Sequence, residues 1–421
     1  MTTPEVTQSP IGSSPIPPAP EATTRPGRVE FVAMMAMLMA LVAFSIDSIM
    51  PALPRIASEL SPDAPNTAQL VITSFVLGMG LGTLVAGPLS DQFGRRSVIV
   101  AGVALYIVAA VAAVMSATME ALLLARFAQG LGAAGPRVTV MAVVRDLHAG
   151  RGMAQITSFI MMVFSLVPAL APLMGAQIID AFEWRAVFWS FALFGMAGTA
   201  WYLLRLDETL PKARRRPFRP ALIRATLSEM LARPDVRLAV LVQALCFAGL
   251  VATISTIQPV YDDWLGRSAE FPLWFGATAL VAASASYLNA RLVVRLGMRR
   301  LVRTMLGVHL CTSLLVLVML LIAPGVGPVG RLGLVLFWQV VQFFMVGMTL
   351  GNLTAIAMEP MGHVAGTAAS LISAVSTVLG VVLAVPVGLT FDGGPLPLVL
   401  GCFAFSALAL LGMLRLGQEE A

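Results

Sequence analysis

A few ionisable residues lie inside apolar runs of the 421-residue chain, and they are where chemistry can occur. Asp47 stands roughly 16 residues into the first apolar stretch. A carboxylate withdrawn from water can hold and release a proton near neutral pH, and ionisable groups within hydrocarbon are functional by default. The alternative is a helix end: Pro51 could mark the exit of the span, leaving Asp47 exposed. Arg126 cannot lose its proton, so it needs a carboxylate, backbone carbonyls or water as partner. Arg137 follows eleven residues later on the same segment, about 16 Å along a helix. It is placed either to bind an anionic or carbonyl-rich substrate or to snorkel or pair with Glu359.

Other chemistry lacks its parts. Cys246, Cys311 and Cys402 occur singly in apolar segments, which suits small core hydrophobes, and His148, His309 and His363 do not recur at ligand spacing, so no metal is expected. There is no nucleophile with a base and no phosphate-cradling loop, which argues against an enzyme.

These residues must be positioned by elements that live in a bilayer. Hydrophobic residues make up 58% of the chain and charged ones 12%, with a mean hydropathy of +0.87. The stretches Ser97 to Met119, Leu332 to Met358 and Gly393 to Leu414 carry no Asp, Glu, Lys or Arg. About 20 apolar residues cross a hydrocarbon core, and continuous runs exclude the alternation of barrel strands. The expected fold is therefore all-α, with spans at about 31–54, 67–89, 97–117, 120–143, 154–179 and 187–205, then 236–259, 271–293, 301–323, 332–357, 365–390 and 396–415. These divide the chain into a disordered tail over 1–28 with seven prolines, a six-helix bundle over 29–206, a linker over 207–235, a second bundle over 236–416 and a short tail over 417–421. No cleavage site follows the first apolar run, so that span is expected to remain in the mature protein.

Basic residues are lopsided. Arg25, Arg28, Arg95, Arg96, Arg145, Arg151, the cluster Lys212, Arg214, Arg215, Arg216 and Arg219, and Arg291 to Arg303 fall on one side, against Arg55, Arg185, Arg267 and Arg331 on the other. Retention of Lys and Arg in the cytoplasm places both termini and the linker there, and the net charge of +5 then reports membrane orientation, with no nucleic acid implied. The loops Gly87 to Arg96 and Arg291 to Arg300 both end in Gly and paired Arg, a weak echo between halves.

The segment Gly87, Leu89, Asp91, Gly94, Arg95 and Arg96 resembles the signature G-x-L-x-D-x-x-G-R-R of the major facilitator superfamily, with Gln92 where that family usually has a basic residue. It implies a cytoplasmic latch, in which Asp91 sits against a helix N-terminus of the opposite half while the arginines pair with carboxylates. Asp47 to Pro54 resembles the D-x-x-x-P-A-L-P pattern of bacterial drug/proton antiporters, and Arg126 to Ala134 the R-x-x-Q-G-x-G-A-A motif, whose arginine is linked to proton transfer in that family. Pro168 to Gly175 is similar to the Pro/Gly-rich antiporter motif in degenerate form, and its prolines suit a helix that bends. Arg145–Asp146–Leu147 and Met358 to Ala368 resemble the bicyclomycin and chloramphenicol resistance subgroup (Bcr/CflA).

The resemblance implies twelve transmembrane helices in two six-helix bundles and an inner-membrane exporter, taken as a monomer, that exchanges small lipophilic drugs or metabolites for protons, with no cofactor beyond the proton gradient. Asp47 and Arg126 would couple protons; Gln129, Arg137, Met161, Pro168 and Pro172 are candidates for the substrate cavity. Met34, Met35, Met37, Met39 and Met162 could add an adaptable wall or simply pack. A dedicated metabolite or sugar exporter, or a proton symporter, is the alternative on the same fold.

Overall fold

A computed structural model of the protein describes residues 26–322 and 325–416. The tail over 1–28 that is expected to be disordered falls almost wholly outside those residues, as does the short tail over 417–421. Among them, every long element is helical. The first half holds α1 (Arg28–Asp47), the short α2 (Leu53–Leu60), α3 (Leu70–Phe93), α4 (Arg95–Val114), α5 (Met119–Leu147), α6 (Gly150–Ala181) and α7 (Trp184–Arg205). A linker helix, α8 (Pro220–Ala232), leads to α9 (Pro234–Pro259), α10 (Phe271–Leu296), α11 (Met298–Ile322), α12 (Pro328–Met358), α13 (Ala365–Leu389) and α14 (Leu396–Arg415). Setting aside α2 and α8, twelve helices have 20 or more residues, long enough to span.

All but one of these lie in stretches whose length and apolarity suit a membrane. The exception is α5, whose mean hydropathy is lowered by Arg126, Arg137, Arg145 and a run of small residues. Those small residues have a packing role. A Cβ on Gly130 would run into the Phe75 carbonyl, and one on Gly78 into the Phe127 carbonyl, so α3 and α5 meet backbone to backbone. Large apolar side chains such as Leu124, Leu204 and Leu321 are left exposed on the outside, as lipid-facing residues are.

The echo between the halves is structural. Gly94 (φ 97°) and Gly297 (φ 75°) both turn the chain between consecutive helices in a conformation that disfavours other residues. Arg95, at the start of α4, pairs with Asp146 at the end of α5, while Arg299, at the start of α11, pairs with Glu359 just beyond α12. The halves meet through α3 against α13 and α6 against α10. Their cross-half hydrogen bonds among the described residues all lie at the end away from the paired arginines: Asn66 donates to the carbonyls of Leu389 (3.1 Å) and Phe391 (2.8 Å), and Thr256 to Gln69 (2.9 Å).

Candidate functional site

The first span does not end at Pro51. The helical path runs from Arg28 to Leu60, as α1, a single 3₁₀ turn over Met50–Ala52 and then α2. Pro51 and Pro54 fall at the opening positions of the turn and of α2, where a missing N–H is harmless. Asp47 therefore sits inside the span, 5% exposed. Among the described residues its carboxylate accepts no hydrogen bond and forms no ion pair, which disposes of the exposed-end alternative.

Arg126 is fully buried and is held by neutral groups, one of them two residues before Asp47. Its Nη2 donates to the Ser45 carbonyl at 3.0 Å, its Nε to the Val71 carbonyl at 3.1 Å and its Nη1 to Gln129 Oε1 at 2.6 Å. The guanidinium also lies 4.4 Å from the centroid of the Phe75 ring, a cation–π geometry. Of the partners open to Arg126 from sequence, backbone carbonyls are the ones it takes. Ser45 donates its hydroxyl proton to Leu41 O at 2.7 Å, which leaves Tyr106 to donate to Ser45 Oγ across 2.5 Å. Helices α1, α3, α4 and α5 thus converge on the turn of α1 that ends in Asp47.

The α6 motif closes the other side of that turn. Pro168 and Pro172 both lie inside a continuous α6. Gly175 abuts the Ser48 backbone so closely that a Cβ would overlap its carbonyl, and Ala169 plays the matching part for Gly276 of α10. One stretch of α6 therefore touches both the neighbour of Asp47 and the opposite half. Met161 is not part of this cluster: it is exposed, eleven residues before Pro172, about 16 Å nearer the arginine-rich end.

Arg137 occupies the same face of α5 as Arg126, three turns on. It is half-buried, and its only hydrogen-bond partner among the described residues is the Met79 sulfur at 3.5 Å. The expected alternative pairing is absent, because Glu359 binds Arg299 at 3.0 Å.

At the arginine-rich end the expected latch is rearranged. Asp91 pairs with Arg95 of its own half (2.6 Å) and, among the described residues, accepts no hydrogen bond from a helix of the other. The carboxylate on a helix N-terminus is instead Glu208 of the linker, which accepts the backbone N–H of Arg95 (2.9 Å) and Arg96 (3.1 Å) at the start of α4, where the helix dipole favours an anion. Gly94 makes room, since a Cβ there would collide with Glu208. Gln92, the departure from the usual basic residue, accepts the N–H of Phe218 at 2.9 Å, and Arg216 N–H bonds the Asp91 carbonyl, so the linker runs along the loop. Gly87 lies near Ser370 of α13.

Sequence reasoning missed a second layer. Gln339 and Gln342 repeat in α12 the spacing of Arg126 and Gln129 in α5, a match visible once the two halves are aligned. Gln339 donates to Thr278 at 2.8 Å, whereas both amide atoms of Gln342, like Gln129 Nε2, are buried without a partner among the described residues. Cys311 is exposed on α11, contrary to the expected core role, while Cys246 and Cys402 are buried. His309 bonds Ser406 at 2.7 Å, and His363 bonds Glu229 of α8 at 3.1 Å. No group of three potential metal ligands occurs among the described residues.

Comparison with known proteins converges on the same conclusion. The chain is 29% identical over 345 residues, 80% of its length and 83% of the relative's, to a bicyclomycin resistance protein homolog of Haemophilus influenzae. It is 36% identical over 170 residues, 40% of its length and 43% of the relative's, to the multidrug resistance protein MdtL of Escherichia coli. Among solved structures, a D-xylose-proton symporter superposes with a TM-score of 0.73 at 15% identity, covering 93% of this chain and 98% of that one, which shows the fold alone. The family model for the Major Facilitator Superfamily matches residues 35–385, so this twelve-helix chain belongs to that superfamily and is a transporter, not an enzyme.

Proposed function

We propose that the protein exports small, largely lipophilic molecules across the bacterial inner membrane in exchange for protons, with Asp47 as the proton carrier and Arg126 as its positioning partner. The observation that carries this is the carboxylate of Asp47, buried inside a span with no partner among the described residues. Such a group is unfavourable as an anion, and it gains most from a proton or from a substrate that supplies hydrogen bonds. The orphaned amides of Gln129 and Gln342 offer further sites that a bound substrate would satisfy. Names among the relatives, bicyclomycin resistance and multidrug resistance, favour drug-like cargo.

Protonation of Asp47 and substrate binding then compete for one buried carboxylate, which is the requirement for exchange. With the arginine-rich end cytoplasmic, as the distribution of basic loops favours, both termini and the linker are inside. The polar ties through Asn66 and Gln69 then hold the outer ends of the two halves together. An outer vestibule of about 590 Å³ beside those ties, lined by Pro54, Asn66, Gln69, Asp262 and Asp263, lies on the exit side.

The test is proton release from detergent-purified protein on adding chloramphenicol or bicyclomycin, wild type against Asp47→Asn. Release that disappears in the variant supports the assignment. Binding without release in the wild type defeats exchange for that ligand, and unchanged release in the variant moves the proton elsewhere.

A further inference from the structure

The geometry points to Arg137 as an anion-recognising subsite of the transport cavity, so that the substrates the protein handles best carry a negatively charged group. This inference rests on the transport function proposed above and names the substrate class. Arg137 is always charged, half-buried and within the span, and the only hydrogen-bond partner it has among the described residues is the soft sulfur of Met79. Carboxylates at the same end are already occupied: Asp146 by Arg95, Asp91 by Arg95, Glu359 by Arg299 and Glu208 by the amides of α4.

Arg126 differs in kind. Its fork is filled by two carbonyls and a glutamine, with an aromatic ring against it, so it is a finished structural contact. Arg137, on the same face of the same helix, presents a planar set of donors matched to a carboxylate, phosphate or sulfonate and has none in place. Its depth suits a bound molecule: ten residues from the end of α5, it lies about 15 Å inside. Asp47, nineteen residues from the start of α1, lies about 28 Å from the same end. A molecule with its anionic group on Arg137 and its apolar body directed inward reaches toward the Asp47 pocket.

The charge balance has a consequence. Expulsion of a monoanion with inward movement of one proton carries two positive charges inward per cycle, so an interior-negative potential drives export of an anion strongly, whereas exchange of a neutral molecule moves one.

The experiment compares dansylglycine, a lipophilic monoanion, with its uncharged methyl ester by fluorescence titration of the detergent-purified full chain, for wild type, Arg137→Gln and Arg137→Lys. We expect the wild type to favour the anion by about tenfold or more, as a charge-assisted hydrogen bond would give. Arg137→Gln should lose that preference while keeping affinity for the ester, and Arg137→Lys should retain part of it. A wild type that binds neither probe, or does not prefer the anion, overturns the inference, as does a preference unchanged in Arg137→Gln. Should Arg137→Gln fail to fold, the wild-type preference and Arg137→Lys decide, with a preference equal to wild type in the lysine variant counting against the fork. None of these readouts involves proton movement, so failure here is distinct from failure of the exchange mechanism.

Discussion

Arg126 binds the backbone carbonyl of Ser45, two residues before Asp47, at 3.0 Å, and so fixes the last turn of α1 to α5. The contact is to a carbonyl, which cannot titrate, so the arginine holds the Asp47 segment in place whether or not Asp47 carries a proton. Arg126→Lys keeps a charge but cannot span Ser45, Val71 and Gln129 with one planar fork or lie flat on Phe75. We predict that this variant folds but exchanges substrate at least about tenfold more slowly, in keeping with the loss of a charged hydrogen bond of about 1.5–3 kcal/mol. Counterflow in proteoliposomes checks it, and wild-type rates would show that charge alone is sufficient.

Close approach of α3 and α5 predicts a sharp contrast between glycines. Gly130→Ala drives a methyl group into the Phe75 carbonyl, and the helices must separate, at a cost of about 1–3 kcal/mol or more. Gly351→Ala, on α12, meets nothing within 4 Å and should leave stability within about 0.5 kcal/mol of wild type. Thermal unfolding in detergent separates them, and equal melting temperatures would contradict the packing.

The spans were legible because lipid forces long apolar helices, and the chemistry of Asp47 because few acids enter such runs. Its depth was not legible: Pro51 and Pro54 look like a helix exit, and only the 3₁₀ turn and α2 show that the span continues to Leu60. The role given to Asp91 failed because a nearer partner, Arg95, lies one turn away in space, at 2.6 Å. Glu208 was invisible since its contact with Arg95 joins residues 113 apart, and no periodic pattern records such a pairing. Its one signal is an acidic pair, Asp207 and Glu208, placed just before the basic cluster of the linker. Arg137 was ambiguous in sequence because its alternative partner, Glu359, proves to be committed to Arg299.

Asn66 ties the loop between α2 and α3 to the end of α13 through two carbonyls, at 2.8 and 3.1 Å. Asn66→Ala removes both bonds, each worth about 1 kcal/mol, and should move the equilibrium toward opening of that end by roughly 10- to 30-fold. Spin labels on exposed Ser58 and Asp392 would report it by double electron–electron resonance, as a growing long-distance population. An unchanged distance distribution would mean that the apolar contact of α3 with α13 is enough to keep the end shut.

Glu208 caps the start of α4 from the linker, and its loss should loosen the arginine-rich end without touching the transport pocket. In Glu208→Ala the N–H groups of Arg95 and Arg96 lose their acceptor and the helix dipole its anion, together about 1–2 kcal/mol. The linker remains attached through Phe218 to Gln92 and Arg216 to Asp91, so the effect is a raised rate of local opening and not detachment. Trypsin sites after Lys212, Arg214 and Arg215 lie within this segment. Cleavage there should accelerate roughly 5- to 30-fold, matching one or two kcal/mol, with the neutral carboxamide of Glu208→Gln giving a smaller increase because it still accepts hydrogen bonds. Equal cleavage of wild type and Glu208→Ala would show that the remaining ties hold the linker unaided.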